Sequence, residues 1–387
     1  MRWTNAFLDT LRTQSDPEVD GMVGTFLQER RMPAAQLLAP LIRYDGLPPE
    51  DRSPEITEWI ANKPSWPEWA DPVKVQRGAD FFEENGPQIM TCLLMASLPE
   101  CYAARKGVQV LYLTSQLLSH TRRRLVETAQ MVVNAMTPGE LDPGGIGYET
   151  ARRVRLMHAG IRWHIVSDPC ILRSGDPFEP RPHYDPAWGV PINQEDLVGT
   201  MLTFSIVILD ALEKTGERFQ REEAEAYHHT WNVVGHLVGV RPDLLPIGLD
   251  EGRDLMDKIR GRQHDACREG REMTAAILSF AQRAVRAPWV YGLPASLMRF
   301  MVGDKVADIL DVPRADWTQL WIGPLVQARR IIDLFGQNRL VRMVTADFNR
   351  ALIGELLDAE RGKASGGFYV PEKLIQSWEL DRVLLRV

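Results

Sequence analysis

A chain of 387 residues has room for two to four domains at roughly 100–200 residues each, and its 44% hydrophobic and 25% charged residues are those of an ordinary globular protein. Its 45 Lys and Arg against 52 Asp and Glu leave a net charge of −7, without the basic excess that a dedicated nucleic-acid binder needs to neutralise phosphates. Four cysteines (Cys92, Cys101, Cys170 and Cys267) contain no C-x-x-C pair and are too few for a disulfide framework. No apolar run reaches the roughly 18 residues of a membrane span, and Met1-Arg2-Trp3-Thr4-Asn5 opens neither a twin-arginine nor a long apolar signal region. The expectation is a reduced, cytoplasmic protein with no nucleic-acid partner.

Helical periodicity runs through nearly the whole chain. Asp16-Pro17 predicts a helix entry with Met22, Phe26 and Leu27 as a short apolar stripe, and Pro33 opens a segment through Leu41-Ile42. The proline-rich stretch between Gly46 and Pro72 carries Trp59, Trp66 and Trp69, read as rings that pin a loop to the core. Helices are then expected over 72–84, 108–120, 121–136, 148–166, 195–212, 221–240, 252–284, 324–335, 341–357 and 371–385. No segment alternates with period two for long enough to be a strand, so the fold class is all-α. Two loops interrupt the helices. One, at 138–147, holds Gly139, Gly144, Gly145 and Gly147. The other, at 167–191, holds six prolines and is long enough to be a lid or a rigid surface insertion. Composition does not shift across either loop and no repeat is visible, which favours a single helical domain over 1–387.

The 148–166 segment is the most informative. On a helix His158 shares a face with Val154, Arg155, Ile161 and Arg162. Buried arginines need anionic partners. One reading is a basic solvent face, with Arg152 and Arg153 on it and one satisfied histidine. The other is a haem cradle, the iron on the imidazole and the propionates on the guanidiniums; periodicity alone favours the first. In the preceding helix Leu125, Ala129, Val132 and Met136 form the apolar stripe. Thr128 lies at its border, Arg124 just beyond, and Glu127 toward the polar side. Glu225-x-x-His228 has no second copy, so a di-iron bundle is a weak rival, and His228 and His229 are expected to be exposed. His164, His183, His236 and His264 stand without ligand spacing, and no H-E-x-x-H, G-x-S-x-G or G-x-x-x-x-G-K occurs.

Three blocks in order give a more specific signal. The first is Arg124-x-x-x-Thr128, then thirty residues on to His158, within Arg155-x-x-His158-x-x-x-Arg162. The second runs from Trp188 to Leu197 (WGVPINQEDL), with Thr200 and Phe204 after it. The third is Trp231 and Gly235, then Leu237-Val238-Gly239-Val240. Together they resemble the latex clearing protein (rubber oxygenase) family, which includes the MpaB-type oxygenase of mycophenolic acid biosynthesis. The resemblance is firmest over 117–246 and extends more thinly over 16–299.

The resemblance implies a globin-like helical core around haem b, with His158 as the proximal iron ligand and Arg155 and Arg162 helping to hold the haem. Arg124, Glu127 and Thr128 would lie on the helix crossing the other haem face, as candidate catalytic residues. Asn193 has a simpler reading as the cap of the helix that follows it. The sequence also departs from the family. Glu127 stands where rubber oxygenases carry a lysine, and Val108 occupies the spacing of their glutamate base, the nearest upstream acid being Glu100. With no secretion signal expected either, rubber cleavage is disfavoured. The expectation is a haem-dependent oxygenase using O2 on a small, apolar intracellular metabolite; the alternative is a haem carrier or sensor without turnover.

Overall fold

Capping side chains fix where several helices begin. In a computed structural model, Thr4 accepts from Phe7 N at 3.2 Å to open α1 (Asn5–Leu11), and Pro17 opens α2 (Pro17–Arg30). Ser53 caps α3 (Pro54–Ala61), and Asp71 accepts from Val73 N at 2.9 Å at the head of α4 (Pro72–Cys92). The structure describes residues 2–30, 41, 44, 47–117, 121–174, 183–285, 291–314, 348–354, 356, 369–378 and 380. The segment opened by Pro33 lies outside these apart from Leu41, as does 324–335; of 341–357 the helical run 348–354 is described.

The helix predicted to stop at residue 84 instead continues through Asn85-Gly86-Pro87. It passes a π-helical turn (Leu93–Ser97) and runs on as α5 (Leu98–Ala103). Then come α6 (Arg105–Leu117), α7 (Thr121–Met136) and α8 (Ile146–Ser167), close to the expected bounds. Asn193 does cap α9 (Gln194–Leu202), accepting from Asp196 N at 3.1 Å; a second π-helical turn (Thr203–Val207) joins α9 to α10 (Ile208–Lys214). After α11 (Arg221–Val238), the single helix expected over 252–284 is two, α12 (Leu249–Gln263) and α13 (Arg268–Arg283). The break at 264–267 has no Gly or Pro; Cys267 Sγ, accepting from Gly270 N at 3.4 Å, restarts the helix. Last come α14 (Leu293–Val302), α15 (Asp304–Ile309) and α16 (Glu372–Ser377).

The fold is all-α. Among the described residues there is no sheet, only two isolated β-bridges, Ala104 with His264 and Leu172 with Tyr184. One buried apolar cluster runs from Trp3 to Leu380. At its centre α4 packs along α11, and Gly78 permits the approach: a Cβ there would lie 2.7 Å from the Ala226 carbonyl oxygen. Helix α8 is flanked by α2, α7 and α11. Two of the three tryptophans after Gly46 pin their segment as expected: Trp66 Nε1 donates to the Leu141 carbonyl at 2.9 Å, and Trp59 lies under Arg152, whereas Trp69 is exposed, edge-on to His229 and His236. No helix among the described residues is long and apolar enough to cross a membrane.

Candidate active site

Where α5 to α9 meet α11 to α13, the side chains leave a cavity of about 480 Å³. Its wall is predominantly apolar, with Val110, Leu125, Met131, Met157, Met201 and Phe204 among the contributors. A mostly apolar cavity with a few placed polar groups is the usual form of a small-molecule or cofactor site.

His158 lines this cavity from α8. Its Nδ1 is buried with no hydrogen-bond partner among the described residues, an arrangement that calls for a reason. Burial, reinforced by the charges of Arg162 and Arg124, holds its pKa down at about 3, so the imidazole is neutral at pH 7 and its ring lone pair is available.

Arg124, Glu127 and Thr128 also line the cavity, from α7. The half-buried Arg124 guanidinium donates to the Leu111 carbonyl at 3.2 Å and to the Thr114 hydroxyl, both neutral acceptors. Burial lowers its pKa. Glu127 is exposed, on the polar side of α7 as its position in the helix predicts, and still contributes to the wall. Arg153 and Thr150 join the lining from α8.

Arg155 and Arg162 are placed differently from the expectation. Arg155 makes a two-pronged contact with Asp16 (2.6 and 2.8 Å) and reaches Glu18 at 2.7 Å. Arg162 pairs with Asp20 at 2.6 and 2.8 Å and donates to the Ile192 carbonyl at 3.2 Å. Neither is among the residues lining the cavity. The anions that these arginines require come from α2 and the residue before it, so they fasten α2 across α8 beside His158.

The E-x-x-H histidine is likewise a correction. His228 is fully buried rather than exposed, between Ser205 Oγ at 3.2 Å and the Pro246 carbonyl at 3.3 Å. His229 is half-buried, its Nε2 accepting from Asp71 N at 2.9 Å. Both are structural.

Sequence reading missed the wall contributed by α5, α9 and α12. There Glu100 is held on both oxygens by Arg260 (3.2 and 3.1 Å), with His264 Nε2 at 3.2 Å. Glu195 is fully buried and takes Arg262 at 2.8 Å and Gln263 at 2.8 Å. Arg12 brings its guanidinium to Asp196 at 2.9 Å. The available signal was the i, i+3, i+4 spacing of Arg260, Gln263 and His264, which puts them on one face. Nothing local told that face where to dock.

The family described as "ER-bound oxygenase mpaB/B'/Rubber oxygenase, catalytic domain" matches residues 88–334. The chain belongs to this family. It is therefore an oxygenase, an oxidoreductase. The match takes in every cavity-lining helix from α5 to α13. The chain is 24% identical to the rubber oxygenase of Streptomyces sp. (strain K30) over 308 residues, 77% of this chain and 71% of that one. It also resembles the solved structure of latex clearing protein LCP in the closed state, with a TM-score of 0.68 and 20% identity over 93% of this chain and 95% of the other. That likeness shows a shared helical fold.

Proposed function

We propose that the protein is a haem-b-dependent oxygenase in which His158 is the protein's iron ligand and the adjoining cavity takes an apolar small molecule. The observation that carries this reading is the neutral imidazole of His158, set in the cavity wall with no partner for its buried Nδ1. Among the described residues, no group of three His, Cys, Asp or Glu side chains is arranged to hold a metal ion. One histidine beside a large apolar cavity instead fits a metal whose remaining ligands would arrive with a prosthetic group. Bound there, haem b supplies an iron centre for dioxygen activation.

The chain's own residues divide the remaining work. Arg124 and Arg153 bring positive charge to the wall, suited to the carboxylates that haem carries. Thr128 and Glu127 are the polar groups beside them on α7, a hydroxyl and a carboxylate able to hold or pass a proton at the cavity edge. Arg155 and Arg162 act at one remove, holding α8 against α2 and so fixing the direction of His158. The apolar remainder of the wall excludes water and gives an apolar substrate its binding energy.

The test is the absorption spectrum of protein produced with ample haem. A Soret band is expected, and His158→Ala should lose it while retaining its helical circular dichroism. Full haem occupancy in that variant removes His158 from the role, and no Soret band in the unaltered protein overturns the haem reading altogether.

A further inference from the structure

The end of the cavity formed by the last turn of α12 is a second place where a buried polar atom lacks a partner. Gln263 is 3% exposed and lines the cavity. Its amide nitrogen donates to Glu195 Oε2 at 2.8 Å, which fixes the orientation of the amide: flipping it would set two oxygens against each other. The other end of that amide, Oε1, is buried with no hydrogen-bond partner among the described residues. Next to it, His264 also lines the cavity, its side chain 5% exposed. Its Nε2 is 3.2 Å from Glu100 Oε2; with the proton of the neutral ring on that nitrogen, Nδ1 is the acceptor. The backbone here is pinned by His264 N, donating to the Arg260 carbonyl at 3.1 Å, and by Asp265 N, donating to the Ala103 carbonyl at 3.0 Å.

The charges around this end are matched. Arg260 is given to Glu100 and Asp257, Arg262 to Glu195 and Asp9, and Arg12 to Asp196 and Glu195. His264 faces Glu100 from α5, Arg260 from its own helix and, more remotely, Lys305 from α15; burial is the largest influence and lowers its pKa. Among the described residues, Glu100, Glu195 and Asp196 at this end each have an arginine partner. What remains is a pair of neutral acceptors at the end of an apolar cavity.

We propose that Gln263 Oε1 and His264 Nδ1 form a subsite for a neutral hydrogen-bond donor, so that the substrate is an apolar molecule bearing a hydroxyl group. This rests on the reading of the cavity as the oxygenase's substrate site. The hydroxyl donates to one acceptor, and the second receives an ordered water or a second donor of the same ligand. Glu100 and Arg260 are positioning residues that hold the imidazole in place. A site whose buried acceptors go unpaired without the hydroxyl discriminates against the analogue that lacks it.

The test is calorimetric binding to the haem-loaded protein of four probes of one chain length: 1-octanol, octane, octanoate and octylamine. Octanol is expected to bind about 10-fold or more tighter than octane, and tighter than either charged probe. In Gln263→Met and in His264→Phe the octane affinity holds while the octanol advantage disappears. If one variant fails to fold, the other decides, and the four-probe ranking on the unaltered protein needs neither. Equal affinities for octanol and octane, tighter binding of a charged probe, or no binding by any probe overturns the proposal. The Soret band of the same sample reports separately on the haem, so the two readings fail by different signals.

Discussion

Replacing Gly239 by alanine strikes the joint that holds the His158 helix in place. Gly239 caps α11 in the left-handed region, with φ +102, where an L side chain is disfavoured by about 1–2 kcal/mol. A Cβ at this position would stand 2.9 Å from Arg155 Nε and inside contact distance of Asp16 Oδ2, so it wedges into the Asp16–Arg155 pair. Removing one partner of a buried pair costs about 3–5 kcal/mol; this one is displaced rather than broken and keeps some solvent contact, so a further 1–3 kcal/mol or so is appropriate. Together these put the loss at about 2–5 kcal/mol. Urea denaturation followed by circular dichroism measures it. Made in an Asp16→Ala background, the same substitution has lost its main obstruction and should cost only the backbone part, about 1–2 kcal/mol. A loss under about 1 kcal/mol in the unaltered background, or equal losses in the two, refutes the reasoning.

Other perturbations follow from the same structure. Burial holds His228 at about 4, whereas an unfolded histidine titrates near 6.5. The unfolded chain therefore binds more protons in acid, and this part of the stability, complete above about pH 6.5, is lost progressively as the pH falls toward 4. The urea midpoint should drop between pH 7.5 and 5, less steeply in His228→Gln; a flat profile contradicts the assignment. Asn193→Ala removes the α9 cap together with two buried amide donations, to the Val190 carbonyl and to Asp196, each 2.8 Å. It should destabilise by about 2–3 kcal/mol, and a loss within 0.5 kcal/mol or so contradicts a structural role for the residue. As set out above, His158→Ala should abolish the Soret band, and the octanol–octane contrast should depend on Gln263 and His264.

Helix periodicity carries most of the fold because each amphipathic face is written locally. Helices α6 to α8 and α11 are readable to within a few residues for that reason. Where the local signal misleads, a side chain or a neighbouring helix overrides it. Pro87 sits inside α4 because the helix continues on tertiary packing, and α12 ends at Gln263 without a Gly or Pro, the next helix starting from Cys267. The site divides along the same line. His158 stands out only through the family resemblance that its spacing from Arg124 and Thr128 carries, all on two consecutive helices. The destination of Arg155 and Arg162 does not, since Asp16, Glu18 and Asp20 lie about 140 residues away in sequence and only docking of α2 on α8 reveals them. Glu100 and His264 are separated by as wide a gap. Each looks solitary in the sequence and acquires a meaning only from its neighbour.

The two π-helical turns, Leu93–Ser97 and Thr203–Val207, pack against each other in the middle of the molecule. Each amounts to one residue more than a regular helix of that rise would use, and so turns everything after it by about 100° around the axis. In the first helix the cavity wall is built after that turn, from Leu98, Glu100, Cys101 and Tyr102; in the second it runs through the turn, from Leu197, Thr200 and Met201 before it to Thr203 and Phe204 within it. The cavity thus depends on helix phase as much as on side-chain identity. Deleting a single residue within the first turn would leave composition and helicity almost unchanged, yet rotate the Leu98–Tyr102 wall out of the cavity.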